Sequence, residues 1–315
     1  MSVASETRHG PALEPEVVER LTKFFSHSRF AELGSVITDL DGTAVHEHRG
    51  RIIIPRRVEL ALMKLVELGR PLILNSLRFP LSVLRTFGRE WYAISRAPLP
   101  TVSLNGSLLG HIVMGSDGTL GFDEVAAFPL TAAEIDRALA PVEVLLADGV
   151  RDVLVFYYPR DWRMGEMIWT PVPENVLHTR EKYTSASAVT AVDFEKLRAQ
   201  LHAEEICMIF LLIDVPQDRL MAYQHSQGSH FFTHAGVDKL SGARAMAELL
   251  GVPLHAALGA GDTKMDRFLS GVGCAVVVGG ARLPYNGLQE TLAVPNSLAL
   301  GELLYCLSEL QRGVA

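Results

Sequence analysis

The feature that most constrains this chain is a repeated alternation of short apolar runs with amphipathic helical stretches. Ser35-Val36-Ile37-Thr38-Asp39 reads as a short buried strand. A helix follows from about Pro55 to Leu68, carrying Val58, Leu62, Leu65 and Val66, and Gly69 with Pro71 beyond it is a stop signal. Pro71 to Asn75 is a second strand, Pro80 to Phe87 a further helix, and Thr101 to Leu104 a third strand. Strands joined through helices favour a parallel sheet covered by helices, because parallel pairing needs long crossovers.

The rhythm changes after Ser107. From there to Thr233 the sequence shows a hairpin signal at Ser116-Asp117-Gly118 and longer strands at Asp152 to Tyr158 and Glu205 to Ile213. Two helices are expected there, Thr131 to Ala147 and Ala191 to Ala203. The α/β rhythm resumes with a helix from Lys239 to Leu250, ended by Gly251 and Pro253, and strands at Leu254 to Leu258 and Cys274 to Val278. The expected fold class is therefore α/β: a Rossmann-like parallel-sheet core with an inserted α+β cap domain. Residues 1–34 form an N-terminal extension with a helix from Pro15 to Ala31, residues 35–106 and 234–315 the core, and residues 107–233 the cap. A length of 315 residues suits two domains.

Composition narrows the partners. A net charge of -7 with no block of Lys or Arg argues against nucleic acid and anionic membrane surfaces. The longest apolar run, Met208 to Ile213, is too short to span a bilayer, and Met1 to Pro11 lacks an apolar signal core. Cys207, Cys274 and Cys306 are odd in number and far apart, which fits reduced thiols in a cytoplasmic protein. A monomer or homodimer is expected.

Four groups of residues stand where such a fold can use them. In Asp39-Leu40-Asp41-Gly42-Thr43, a strand delivers Asp39 to the carboxyl edge of the sheet, where open α/β sheets place ligand crevices. Two carboxylates this close can divide labour, one as ionised nucleophile and one cycling as acid and base. Gly42 permits a tight turn. Taken alone the run also fits an ordinary turn, since Asp and Gly are common there. The run Gly259 to Asp266 adds Asp262 and Asp266, and an oxygen-rich set of this kind suits Mg²⁺. Asp262 could equally cap a helix. Ser76, with Arg78 two residues on, could cradle phosphate at a strand-to-helix turn, or simply cap the helix. Lys239 at a helix start could neutralise a phosphoryl oxygen, or lie solvated on the surface.

In this order the four groups resemble the motifs of the haloacid dehalogenase-like (HAD) phosphatase superfamily. Asp39 to Thr43 matches its Asp-x-Asp-Gly-Thr, Ser76 stands at its second-motif hydroxyl, Lys239 at its third-motif lysine, and Gly261-Asp262 with Asp266 at its fourth motif. Ser103-Leu104-Asn105-Gly106-Ser107 is similar to the Asn-Gly-Ala segment of the Cof-type subgroup, whose members carry a large C2 (IIB-type) cap. The resemblance implies a Mg²⁺-dependent phosphoric monoester hydrolase that forms an aspartyl-phosphate on Asp39, with Asp41 as acid and base. It implies Mg²⁺ held by Asp39, the Asp41 carbonyl and Asp262, supported by Asp266. Ser76 and Lys239 would grip the phosphoryl group, Thr43 would brace the first loop, and Arg78 and Asn105 would belong to the same binding region. Two residues depart from the pattern. Leu77 replaces the usual Gly, at an expected cost in backbone freedom, and Met265 replaces an Asn that could shape the metal surroundings.

The substrate expected from the resemblance is a small phosphorylated metabolite, with sugar phosphates favoured. Candidate cap contacts are Arg160, Trp162, Arg163, His178, Arg180, His225 and His230; an Arg beside a Trp could hold a second anion or stack on a ring. The spacing of His225, His230 and His234 invites zinc but lacks a matched Cys or carboxylate. Two other functions remain open: a mutase-like phosphoryl transfer through the same aspartate, and a degenerate binding or regulatory module.

Overall fold

The structure, a computed structural model, describes residues 13–48, 51–213 and 229–314. Its central strand β1 (Val36–Thr38) pairs in parallel with β4 (Leu72–Asn75) on one side and β13 (Leu258–Gly261) on the other. Between β1 and β4 the chain forms a small antiparallel hairpin, β2 (His46–His48) with β3 (Arg51–Ile53). β5 (Leu99–Ser103) extends the sheet beyond β4, and β14 (Cys274–Val278) and β15 (Glu290–Val294) extend it beyond β13, all parallel. β1, β4, β5, β13 and β14 are buried along their whole length, which explains their apolar runs: helices cover both faces of such a sheet. On one face lie Leu62, Leu65, Leu300 and Leu304, from α3 (Arg56–Glu67) and α10 (Ser297–Arg312). On the other lie Ala243 and Met246 of α9 (Lys239–Leu249). Two short helices, α4 (Pro80–Thr86) and α5 (Gly88–Ser95), carry the chain from β4 to β5.

Two expectations about boundaries are corrected. The strand expected at Leu254 to Leu258 begins only at Leu258; Leu254–Ala256 is a 3-10 turn closed by Ala257 N–H donating to the Leu254 carbonyl. The cap expected from residue 107 starts later. β6 (Leu108–Met114) and β7 (Leu120–Ala127) form the hairpin signalled by Ser116-Asp117-Gly118, with Gly118 at φ +77°, but β6 pairs antiparallel onto β5 and the hairpin completes an eight-stranded sheet. Only the short turn Leu104–Gly106 separates β5 from β6, so the nearest pairing partner is the strand just laid down.

A second sheet of five strands follows, in the order β10 (Ala186–Thr190), β9 (Glu166–Trp169), β8 (Val153–Pro159), β11 (Ile206–Ile213), β12 (Ser229–Phe232). Val153, Val155, Tyr157, Ile209 and Leu211 form its outer face. They pack against Ile135, Leu139 and Val142 of α6 (Ala132–Ala147) and Leu197 and Leu201 of α8 (Phe194–Ala203). The two chain segments that join the sheets are tied together by Glu134. Its carboxylate accepts from the Thr131 and Ala235 N–H groups, both at 2.8 Å, and bonds His234 Nδ1 at 2.9 Å. Burial opposes its ionisation, but these bonds outweigh that and hold the carboxyl down at about 2.

The N-terminal helix breaks in two, α1 (Pro15–His27) and α2 (Phe30–Leu33), with Ser28 Oγ accepting the Phe30 N–H. Leu21, Phe24 and Phe25 are buried, and Arg20 donates to the Thr291 carbonyl at 2.6 Å, so α1 covers the β15 edge of the main sheet.

Candidate active site

The carboxyl edge of the large sheet gathers the residues singled out in the sequence. Asp39 directly follows β1, its N–H donating to the Ala260 carbonyl of β13. Its side chain is 7% exposed, and Oδ1 accepts from Lys239 Nζ at 2.7 Å. The same ammonium donates to Asp266 Oδ1 at 2.6 Å, with Lys239 1% and Asp266 0% exposed. Lys239 is thus no surface lysine. It is fixed because Asp238 caps α9, accepting from the Leu240 and Ser241 N–H groups, while Arg267 holds the second Asp238 oxygen at 2.7 Å.

Asp262 joins the group from the end of β13. One carboxylate oxygen each of Asp39, Asp262 and Asp266 lie within 4.8 Å of one another. Thr43 is fully buried and donates Oγ1 to Asp262 Oδ1 at 3.0 Å, so it orients a carboxylate from inside the loop. Gly42 makes room for this approach. It has φ +74°, and a Cβ there would stand 2.3 Å from Asp262 Oδ2. Gly42→Ala combines a left-handed non-glycine with that clash. It is expected to raise the Mg²⁺ concentration needed for half-maximal activity by about tenfold or more, as displaced ligand supports do; an unchanged Mg²⁺ titration would show that Asp262 does not serve the metal.

Three carboxylates surround one ammonium here, an excess of two negative charges in a largely buried site. Burial pushes Asp39 up to about 7, opposed by Lys239 and reinforced by Asp266. Burial raises Asp262 as well, against the Thr43 bond. Burial is the first cause of both shifts and Asp266 adds to each, so a hard dication among these oxygens would offset them. The donors divide unequally. Asp266 uses Oδ1 on Lys239 and Oδ2 on the Asp262 and Thr263 N–H groups and the Thr263 hydroxyl. That leaves Asp39 and Asp262 as the carboxylates able to turn toward an ion, with Asp266 as the buttress of their loop.

Asp41 lies apart from this cluster, 48% exposed, and is held at both oxygens by Arg78: Nε to Oδ2 at 2.7 Å and Nη2 to Oδ1 at 2.8 Å. Arg78 is itself fixed by Ser82 Oγ at 3.1 Å and by the Phe87 ring. The sequence suggests Arg78 as part of a phosphate cradle; in the structure its guanidinium is paired with the second aspartate. Ser76 is buried, its Oγ accepting the Arg78 N–H at 3.1 Å, which shapes the turn after β4. Leu77 does not need glycine: among the described non-glycine residues only Arg96, Leu104 and Asn105 have positive φ. Asn105 sits in the left-handed turn Leu104–Gly106, where a Cβ on Gly106 would meet the Asp238 carbonyl at 2.2 Å. That turn therefore packs against the residue preceding Lys239. Asn75, which the sequence reading passes over, is fully buried and donates Nδ2 to the Lys239 carbonyl at 2.9 Å. A buried amide ending an apolar strand was its one signal.

The expected arginines of the cap do not join them. Arg160 bridges Glu124 of β7 at 2.7 Å and Glu205 at 3.1 Å. With Trp162 and Arg163 it lines a cleft of about 580 Å³ beside Phe122 and Glu124. β7 is four strands from β1 in the sheet, on the order of 19 Å at the usual strand spacing. Arg163 is 73% exposed over the Trp162 ring, and Arg180 is exposed on the helix α7 (Val176–Lys182). His178 lies on the same helix, His225 and the His230 side chain lie outside the described residues, and His234 is bound to Glu134.

No protein-family model matches the sequence, and no curated protein sequence does. Solved structures match throughout. BT1666 of Bacteroides thetaiotaomicron, a HAD-superfamily phosphatase, superposes with TM-score 0.62 at 16% identity, over 89% of this chain and 96% of that one. The fold is that of the HAD phosphatases. The HAD subclass IIB sugar phosphatase BT4131 aligns over 90% of this chain and all (100%) of its own, with TM-score 0.59 and 11% identity. A HAD-like hydrolase from B. subtilis does so over 89% and 100%, with TM-score 0.58 and 15% identity. The shared fold thus covers about nine-tenths of this chain. Among the described residues no helix is long and apolar enough to cross a membrane.

Proposed function

We propose that the chain is a cytoplasmic, Mg²⁺-dependent phosphatase that hydrolyses a small phosphorylated metabolite through an aspartyl-phosphate on Asp39. The observation that carries this is the pairing of Asp39 with Lys239 inside a cluster of three carboxylates, at the sheet edge where β1 and β13 end. Asp39 and Asp262, with the Asp41 carbonyl, would hold the ion. Bound there, Mg²⁺ would offset the charge of an anionic phosphoryl group facing an anionic nucleophile.

The residues divide the remaining work. A carboxylate oxygen of Asp39 attacks phosphorus, the bond to the leaving oxygen breaks, and protonated Asp41 gives that oxygen its proton. Asp41 then takes a proton from water; the water oxygen attacks phosphorus, the bond to Asp39 breaks, and inorganic phosphate leaves. Lys239 holds Asp39 in line and faces the phosphoryl oxygens, and Ser76 shapes the turn that receives them. Release of phosphate that persists in excess chelator would overturn this reading, as would beryllium fluoride failing to occupy Asp39. BT4131 is a sugar phosphatase, which makes a sugar phosphate the first substrate to test against any other.

Arg78 has a specific place in this scheme. Its fork holds both Asp41 oxygens and so fixes the direction in which that carboxyl gives and takes its proton. Arg78→Ala is expected to lower kcat about tenfold or more for an alkyl phosphate, part of what a positioned acid and base contributes. The loss should be much smaller for p-nitrophenyl phosphate, whose leaving group needs little protonation. Equal losses on both would remove alignment of Asp41 as the role of Arg78.

A further inference from the structure

The inner face of the second sheet meets the large sheet beside the turn that carries Ser76 and Arg78. The chain leaves the large sheet at Phe128, whose N–H donates to the Ser107 carbonyl at 2.9 Å, and returns to it through Asp238, next to Lys239. Tyr158 of β8 meets Phe79, the residue after Arg78, with ring centroids 5.6 Å apart. The outer face is closed by α6 and α8, so this inner face is the surface that a leaving group beyond the phosphoryl site would meet.

Its middle is apolar and aromatic, with Arg151, His178, Thr179 and Lys182 gathered at the end near Leu154 and Leu212. The inward positions of β8 are Leu154, Phe156 and Tyr158, and those of β11 are Met208, Phe210 and Leu212. The Tyr158 hydroxyl is committed to Glu166 at 2.7 Å, and the other Glu166 oxygen accepts from Ser185 at 2.9 Å. Phe210 and Phe231 stack with centroids 4.5 Å apart at 22°, both half-buried, over Phe156, whose centroid is 5.2 Å from that of Phe210. A hexose pressed on the Phe210–Phe231 stack itself would lose water from its hydroxyls without finding partners there, whereas an aromatic ring would extend the stack.

Resting on the phosphatase reading, we infer that the leaving group of the substrate carries an aromatic or heteroaromatic ring, which packs against Phe210 and Phe231. Benzyl phosphate and glucose 6-phosphate separate the possibilities, because both carry phosphate on a primary carbon and differ in what lies beyond it. With Mg²⁺ present, kcat/KM for benzyl phosphate should exceed that for glucose 6-phosphate about tenfold or more, mainly through KM. Phe210→Leu, which keeps an apolar side chain but removes the ring, should lower the benzyl value about three- to tenfold and shrink the ratio; a far-UV and near-UV spectrum like that of the parent protein shows that it folds. Non-hydrolysable benzylphosphonate should compete with benzyl phosphate, and less well in Phe210→Leu. Equal values for the two esters, a preference for glucose 6-phosphate, or a ratio unmoved by Phe210→Leu would overturn the inference and leave the phosphatase standing. Hydrolysis of neither ester would overturn both.

Discussion

Asp39→Asn is expected to leave a folded protein and to lower phosphomonoester hydrolysis by a factor on the order of 10⁴ or more, the scale on which loss of a nucleophile is felt. An amide has almost the same shape but cannot form the acyl phosphate. Its effect on stability should run the opposite way. The Asp39 carboxyl is raised from 3.8 to about 7, by burial first and with Asp266 reinforcing it against Lys239. A carboxyl that is harder to ionise in the folded state binds more protons there than in the unfolded chain, between those two values. Stability without metal therefore falls as pH rises from about 4 to about 7, and remains lowered above it. The amide of Asp39→Asn carries no such charge and leaves Lys239 paired one-to-one with Asp266. In chelator at pH 8 the variant should melt at or above the parent protein, and at pH 5 the difference should narrow. Mg²⁺ should raise the melting temperature of the parent more than that of the variant, since a ligand stabilises only the state that binds it. Undiminished turnover by Asp39→Asn would end the aspartyl-phosphate mechanism. A variant that melts well below the parent at pH 8 in chelator would show that the Asp39 charge is fully compensated by the protein alone.

The core, and the residues that gather at its sheet edge, were legible in the sequence because both are written in local pattern. Apolar runs mark β1 and β4, and turn residues at their ends mark where Asp39 and Ser76 emerge. β13 was misplaced for a physical reason. Its residues Leu258–Gly261 are mostly glycine and alanine, poor strand signals, chosen by their neighbours: a Cβ on Gly259 would press on Val272 and Phe268, and one on Gly261 would stand 2.7 Å from Asp266. The more apolar-looking stretch before it became a turn. Long-range pairing was the other hidden quantity. Nothing near Arg160 announces Glu124, 36 residues away, and nothing near Arg78 announces Asp41, 37 residues away. An arginine reads as a free cation until its partner is placed. The departure at Leu77 looked costly only because a family habit of glycine suggested a left-handed backbone that this turn does not use.

Lys239→Met should be the most damaging single change to stability. The substitution keeps the long unbranched stem and removes the ammonium that sits between two buried carboxylates, at 2.7 Å from Asp39 and 2.6 Å from Asp266. Removing one partner of a buried ion pair typically costs about 3–5 kcal/mol, because the remaining charge is stranded in a poor solvent. Domains are commonly stable by only about 5–15 kcal/mol, so the loss should appear as a large drop in the urea midpoint. Activity should fall too, since Asp39 loses the group that holds it in line. The two effects separate in a cycle. If the cost is electrostatic, Asp39→Asn added to Lys239→Met should restore part of the stability, because one stranded carboxylate disappears, while activity stays absent. If it came from packing around the Lys239 stem, the second substitution would restore nothing. A urea midpoint for Lys239→Met close to that of the parent would mean that the buried triad carries little of the fold, and that Lys239 is retained for phosphoryl transfer alone.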